Sequence, residues 1–125
     1  MDLHALYDAH KDRANFLTVY IAEAHPEDEW QMDSNIQQDV CYKQPQSLAD
    51  RVAIVNDFVT RFSYPVPIVI DSMADTADRI YGGWPERLYI IDTAGTIVYK
   101  GGIGPFDFHP EQVREWLSQR FPSPQ

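Results

Sequence analysis

The pattern of apolar and polar positions predicts four helices. The first spans Asp2 to about Arg13, and a short one spans Asp75 to Tyr81, where two glycines end it. The longest follows Ser47, a predicted N-cap with an acidic residue three positions on, and the last has Pro110 at its first position. In the longest helix the predicted core face consists of Leu48, Val52, Val55, Val59 and Phe62. In the helix that begins at Pro110 it consists of Val113, Trp116, Leu117 and Phe121.

Four runs of apolar and β-branched residues predict strands: Asn15 to Ile21, Val66 to Ile70, Arg87 to Ile91 and Thr96 to Lys100. The last two flank a four-residue turn that ends in glycine, which is typical of an antiparallel hairpin. Both faces of this hairpin are rich in apolar side chains, so we expect it to be covered on both sides and to lie inside the domain. Pro85 stands directly before it, where a proline closes a turn without loss of a ladder hydrogen bond.

Strands that alternate with helices and then end in a hairpin and a helix indicate an α/β fold with a mixed sheet. The order is that of the thioredoxin-like fold without its opening strand and redox loop, which we expect to be absent from this chain. In that fold the proline before the hairpin is cis, and Pro85 occupies its place. We expect the absent strand to leave a gap between the strands at Asn15 to Ile21 and Val66 to Ile70, and so a gapped or rearranged sheet.

Composition narrows the range of functions. The chain has 125 residues, a formal net charge of -9 and a sequence pI near 4.6, which disfavour nucleic acid and anionic membranes as partners. It contains no apolar run long enough to cross a membrane, and its first ten residues do not resemble a signal peptide. We expect one soluble, cytoplasmic domain over residues 1–121, with a disordered tail at 122–125. The single cysteine, Cys41, excludes an internal disulfide.

Three segments carry a closer resemblance: YIAEAHP from Tyr20 with Asp28 and Trp30, PERLYII from Pro85, and YKG from Tyr99 followed by Gly104 and Pro105. In these segments the sequence resembles the iodothyronine deiodinase family and its bacterial relatives. The resemblance implies a thioredoxin-like oxidoreductase in which a selenocysteine or cysteine attacks iodine and is regenerated by thiols. It implies thiol-dependent reduction of an aryl halide or a peroxide-like substrate, with no bound cofactor and an external thiol reductant.

One departure from the family concerns the nucleophile, which in the family precedes the segment that corresponds to Leu3. Cys41 matches no family nucleophile, and we expect it to be an inert lone cysteine. We therefore expect the catalytic domain to be incomplete in this chain. A non-catalytic thioredoxin-like binding module and an inactive remnant are the alternatives. The expected partners are a small aromatic molecule or a thiol reductant, and a homodimer is left open.

The candidate catalytic residues are Glu23 and His25, which follow a strand at a spacing of two. Extended backbone would place them on one side, beyond the carboxyl end of the strand, where α/β sheets hold ligands. A carboxylate next to an imidazole supports proton transfer near neutral pH, and a solvated loop pair is the alternative. The resemblance implies that His25 contacts substrate or donates a proton, and that Glu23 acts in a relay with Tyr20.

The candidate substrate-binding residues are Trp30, Pro85, Glu86 and Arg87. Glu86 and Arg87 are equally compatible with a simple surface ion pair, and Trp30 with a place in the core. The spacing of His25, Cys41 and His109 matches no common zinc site, so we expect no metal. The glycine-rich segment from Gly101 to Gly104 lacks the strand-to-helix context of a phosphate loop and predicts a plain bend.

Overall fold

The computed structural model describes residues 3–22 and 45–122, and all structural statements below concern these residues. They form four helices and four strands that alternate along the chain before a closing hairpin and helix, as in the α/β class predicted from the sequence. In chain order the elements are α1 (Leu3–His10), β1 (Thr18–Tyr20), α2 (Leu48–Phe62), β2 (Ile68–Ile70), α3 (Thr76–Tyr81), β3 (Tyr89–Ile91), β4 (Ile97–Lys100) and α4 (Pro110–Arg120).

The described strands form two separate two-stranded sheets. Strands β1 and β2 are parallel, with Val19 opposite Val69, and β3 and β4 are antiparallel, with Ile90 opposite Tyr99. The sheet is thus interrupted, but the predicted position of the gap is wrong. Strands β1 and β2 are direct neighbours, because a hydrogen bond of 2.8 Å from Asp71 N to Tyr20 O continues their ladder, and the interruption lies between the two pairs.

The core lies where α1 packs against α4. Leu6, Val113 and Leu117 are its fully buried members, and the side chains of the hairpin and of α4 close it from the sides. The predicted apolar stripe of α4 is therefore confirmed, with Trp116 and Phe121 partly buried at its margin. Pro110 is the first residue of α4, where its missing N–H costs no helical hydrogen bond.

Helix α2 begins as predicted, and its predicted core face is confirmed only in part. The Ser47 hydroxyl accepts a hydrogen bond from Asp50 N at 3.1 Å, which confirms the N-cap. Of the predicted core face, Val55 is buried and Val59 half-buried, but Leu48, Val52 and Phe62 are exposed. The second buried residue of the helix is Arg51, which was not predicted. The helix is rotated in this way because the Arg51 guanidinium binds carbonyl oxygens of the loop after β2.

The hairpin turn is confirmed, since Gly95 has a φ of 87° that favours glycine. The Asp92 carboxylate accepts hydrogen bonds from Ala94 N and Thr96 N and fixes the turn. The expectation that both hairpin faces are covered is wrong. Among the described residues, Leu88, Ile90 and Tyr99 of the hairpin pack on the core, whereas Ile91, Ile97 and Val98 are exposed, because the described helices pack on one side of the hairpin.

Candidate functional site

The loop before β3 is the centre of the candidate site. The peptide bond between Trp84 and Pro85 is cis, as the thioredoxin-like interpretation predicted. The loop follows α3, which ends at Gly82 in the left-handed conformation with a φ of 59°. Trp84 N donates to Asp78 Oδ1 at 2.9 Å, and this bond ties the cis peptide back to α3. We call residues 82–87 the proline loop.

Arg87 fastens the far end of the proline loop. Its Nε donates to Gly101 O at 2.7 Å and its Nη1 donates to Gly82 O at 3.1 Å. The guanidinium also lies 5.6 Å from the centre of the Tyr89 ring. Within the described residues Arg87 thus joins the loop to the bend after β4, and its cationic group is engaged with backbone carbonyls.

The second segment of the candidate site is the glycine-rich bend after β4, residues 101–106. Gly104 N donates to Glu86 O at 2.9 Å, and the next peptide bond, Gly104–Pro105, is also cis. A Cβ at Gly104 would lie 2.4 Å from Glu86 Cγ, so the Glu86 side chain lies directly over this glycine. The bend is the plain backbone turn predicted, and it needs glycine at Gly104 for this close approach.

The surface around the proline loop is apolar. Trp84 is 49% exposed on the loop, and Ile103 and Phe106 are 47% and 90% exposed on the adjoining bend. Phe106 extends almost entirely into solvent, which is uncommon for a phenylalanine in a folded domain. The loop and the bend are joined by the hydrogen bond between Gly104 and Glu86, so these exposed apolar residues belong to two adjoining backbone segments.

The carboxyl end of β1 reaches the proline loop. A Cβ at Gly83 would lie 3.6 Å from Ile21 Cδ1, which is ordinary van der Waals contact. Tyr20, a predicted relay residue, lies half-buried at the end of β1, and its carbonyl oxygen accepts from Asp71 N. Ile21, the residue directly after β1, therefore lies beside the proline loop. Glu23, His25, Trp30 and Cys41 themselves lie outside the described residues.

The sequence interpretation missed the polar support behind the loop. Asp71 is buried, and its carboxylate accepts hydrogen bonds from Ser72 N, Ala77 N and Asp78 N. Burial tends to raise the pKa of Asp71, but these three bonds and the nearby Arg51 outweigh it, and the pKa lies below its usual value. An acidic residue after an apolar strand was the only local signal, since its partners depend on how the residues up to Asp78 fold.

Residues 3–22 and 45–122 contain neither a candidate metal site nor a candidate membrane span. No group of three His, Cys, Asp or Glu side chains there is placed to hold a metal ion. The helices there are also too short or too polar for any of them to cross a membrane.

Comparison with known proteins identifies the family. The family described as Iodothyronine deiodinase matches residues 2–121 of this chain. The chain is 38% identical over 107 residues to a Type I iodothyronine deiodinase of Xenopus laevis, and the match covers 86% of this chain and 40% of the relative. It is 40% identical over 112 residues to a Type II iodothyronine deiodinase of Homo sapiens, with the same two coverages.

A third relative is the Thyroxine 5-deiodinase of Bos taurus, which is 39% identical over 107 residues, or 84% of this chain and 33% of the relative. The chain thus spans well under half the length of these curated relatives. The family match extends over nearly all of the chain and includes the proline loop, the bend and α4, and it supports the thioredoxin-like α/β fold. The chain belongs to the iodothyronine deiodinase family.

Proposed function

We propose that this chain forms the substrate side of a thioredoxin-fold reductase that removes iodine from an aryl iodide at the expense of thiols. The observation that supports it most is the meeting of Ile21, at the end of β1, with Gly83 in the proline loop. Gly83 belongs to the same loop as Pro85, which is the cis-proline of a thioredoxin-like fold. The family match supplies the class of chemistry.

The chemistry balances with two thiols for each iodide released. Since the single thiol of the chain, Cys41, is expected to be inert, a thiolate of the external reductant attacks iodine, so that a sulfur–iodine bond forms and the carbon–iodine bond breaks. The electron pair of that bond stays on the ring carbon, which takes a proton from His25. A second thiol then displaces iodide and leaves a disulfide, so the aryl carbon is reduced and two thiols are oxidised. In this proposal Glu23 and Tyr20 hold the His25 imidazole in its donating form.

The proline loop contributes shape more than charge. Trp84, Ile103 and Phe106 offer apolar surface to an aromatic ring, whereas the Arg87 guanidinium is already bound to two carbonyl oxygens. The proposal therefore gives Pro85 and Glu86 the role of lining the ring, and Arg87 the role of holding the proline loop in place. An aromatic ring buried against such side chains gains affinity from its apolar area.

The test is release of labelled iodide from thyroxine by the full chain in the presence of dithiothreitol. His25→Ala should lower the rate by about 100-fold, the usual size of an acid–base contribution. His109→Ala is the matched control and should not change it, because His109 pairs with Glu111 at the start of α4. Cys41→Ser should also leave the rate unchanged. A wild-type rate no higher than the thiol blank would contradict the proposal.

A non-catalytic binding module is the second candidate. The observation that favours it is the exposure of Trp84 and Phe106 beside Pro85, which suits binding of an aromatic molecule with or without turnover. Calorimetric titration with thyroxine distinguishes the two. Saturable binding without iodide release would favour the binding module, and binding with release would favour the reductase.

A further inference from the structure

A buried cation on α2 supports the loop that precedes α3. Arg51 is 3% exposed, and its Nη1 donates to Asp71 O at 3.1 Å and to Ser72 O at 2.8 Å. Its Nη2 forms an ion pair of 2.7 Å with Asp75 Oδ1. Hydrogen bonds that a charged donor makes in a buried environment are stronger than hydrogen bonds between neutral groups. One side chain therefore binds three residues of the turn between β2 and α3.

The same turn also holds the N-terminal end of α3 in place. The residue before the helix, Asp75, has a φ of 57° and makes no side-chain cap, so the first amides of α3 need another acceptor. The Asp71 carboxylate provides it at 2.9 Å from Ala77 N and 3.0 Å from Asp78 N. The backbone of Asp71 is the same backbone whose carbonyl binds Arg51. The Arg51 guanidinium and the N-terminal end of α3 are thus linked through one residue.

The far end of α3 is linked to the candidate site. Asp78 Oδ1 accepts from Trp84 N at 2.9 Å, and Asp78 O accepts from Gly83 N at 3.2 Å. Helix α3 is only six residues long and has no buried residue of its own. A helix this short is not stable by itself, so its position depends on the bonds at its two ends.

We propose that Arg51 is a positioning residue for the proline loop, acting through Asp71, Asp75 and Asp78 on Trp84 and hence on Pro85. Within the described residues, the hydrogen bonds and the ion pair of the Arg51 guanidinium go to Asp71, Ser72 and Asp75 and not to the proline loop. Its removal leaves the turn carbonyls and the Asp75 carboxylate without their cation, so α3 loosens at its start and the Asp78–Trp84 bond weakens. The consequence for ligand binding rests on the proposed function, whereas the consequence for the loop does not.

The experiment measures amide hydrogen exchange by NMR in Arg51→Met. We expect exchange at Ala77, Asp78 and Trp84 to become at least tenfold faster relative to amides of α4, because local opening exposes only the amides that it unbonds. Val55→Ala is the matched control, a buried change on the same helix that lowers global stability without touching the network. Arg61→Met is the charge control, since Arg61 lies exposed near the end of α2 and pairs with Asp57.

A second pair of variants keeps the test valid if Arg51→Met does not fold. Asp78→Ala removes the acceptor of Trp84 N, and Asp78→Asn retains an oxygen in its place. We expect fast exchange at Trp84 in the first and rescue in the second, together with at least fivefold weaker binding of thyroxine in the first alone. Unchanged exchange at Trp84 in a folded Arg51→Met protein, or equal effects from Val55→Ala, would overturn the inference. If the wild type binds no thyroxine, the proposed function fails while the exchange data still decide the role of Arg51.

Discussion

Truncation of Leu6 tests the account of the core. Leu6 is 1% exposed and lies between α1 and α4 with Val113 and Leu117, the other fully buried members of the cluster. Leu6→Ala removes three carbon groups at about 0.8 kcal/mol each and leaves a cavity, so the free energy of unfolding should fall by about 3 kcal/mol. Since domains of this kind are stable by about 5–15 kcal/mol, the loss is a large share of the total.

The measurement is urea unfolding followed by circular dichroism, with Leu17→Ala as the control. Leu17 is the same residue type but 62% exposed, so its truncation should cost no more than about 0.5 kcal/mol. The slope of the unfolding free energy with urea should be the same in all three proteins. Equal midpoints for the two variants would refute the assignment of the core to the contact between α1 and α4.

Three further substitutions test how single residues contribute to the stability of the fold. His10 is buried, and among the described residues its Nδ1 has no hydrogen-bond partner; burial, then the charges of Arg13 and Arg114, lower its pKa below the usual 6.5. The folded state therefore binds fewer protons than the unfolded state, so the free energy of unfolding should fall as the pH drops below about 6.5. Urea unfolding at pH 7 and pH 5 would detect this loss, and His10→Leu should reduce it. Ser47→Ala should lower the unfolding free energy by about 1 kcal/mol through loss of the N-cap, and equal urea midpoints would contradict this. Gly95→Ala should cost about 1 kcal/mol in thermal unfolding from its left-handed backbone alone, because a Cβ there meets no atom within 4 Å, and an unchanged melting temperature would speak against it.

Features that depend on neighbouring residues could be predicted from the sequence. The N-cap at Ser47, the proline at the start of α4 and the glycine turn of the hairpin each involve partners within four residues, and all three are confirmed. The cis-proline position at Pro85 was predicted in the same way, from its place before the hairpin. Such features are fixed by backbone conformation and by one or two local hydrogen bonds.

Features that depend on partners far along the chain could not be predicted from the sequence. The predicted core face of α2 did not include Arg51, since a charged residue beside an apolar stripe ordinarily faces water. Its burial depends on carbonyl oxygens 20 and 21 residues further along the chain, which no periodicity reveals. The gap predicted between β1 and β2 was wrong for a related reason, because the apolar pattern of a strand does not identify its neighbour.

The candidate site also combines features that the sequence predicts with features that it does not. Pro85, Glu86 and Arg87 were selected from their place before the hairpin, and the structure brings them against the bend at Gly101 and Gly104. The support of the loop by Asp78 was missed, because an aspartate on a short helix is typical of a solvated surface. Glu23, His25 and Trp30 remain predictions from the sequence and the family, since they lie outside the described residues.

The most direct test of the central claim is an NMR titration of the labelled full chain with thyroxine. The account predicts that the largest amide shifts fall in the proline loop, residues 82–87, and in the bend, residues 101–106, with little change in the turn at Asp92 to Gly95. Saturation of these shifts would place an aryl iodide at Pro85. Shifts concentrated in the hairpin turn, or none at ligand concentrations that saturate binding, would contradict a substrate site at the proline loop.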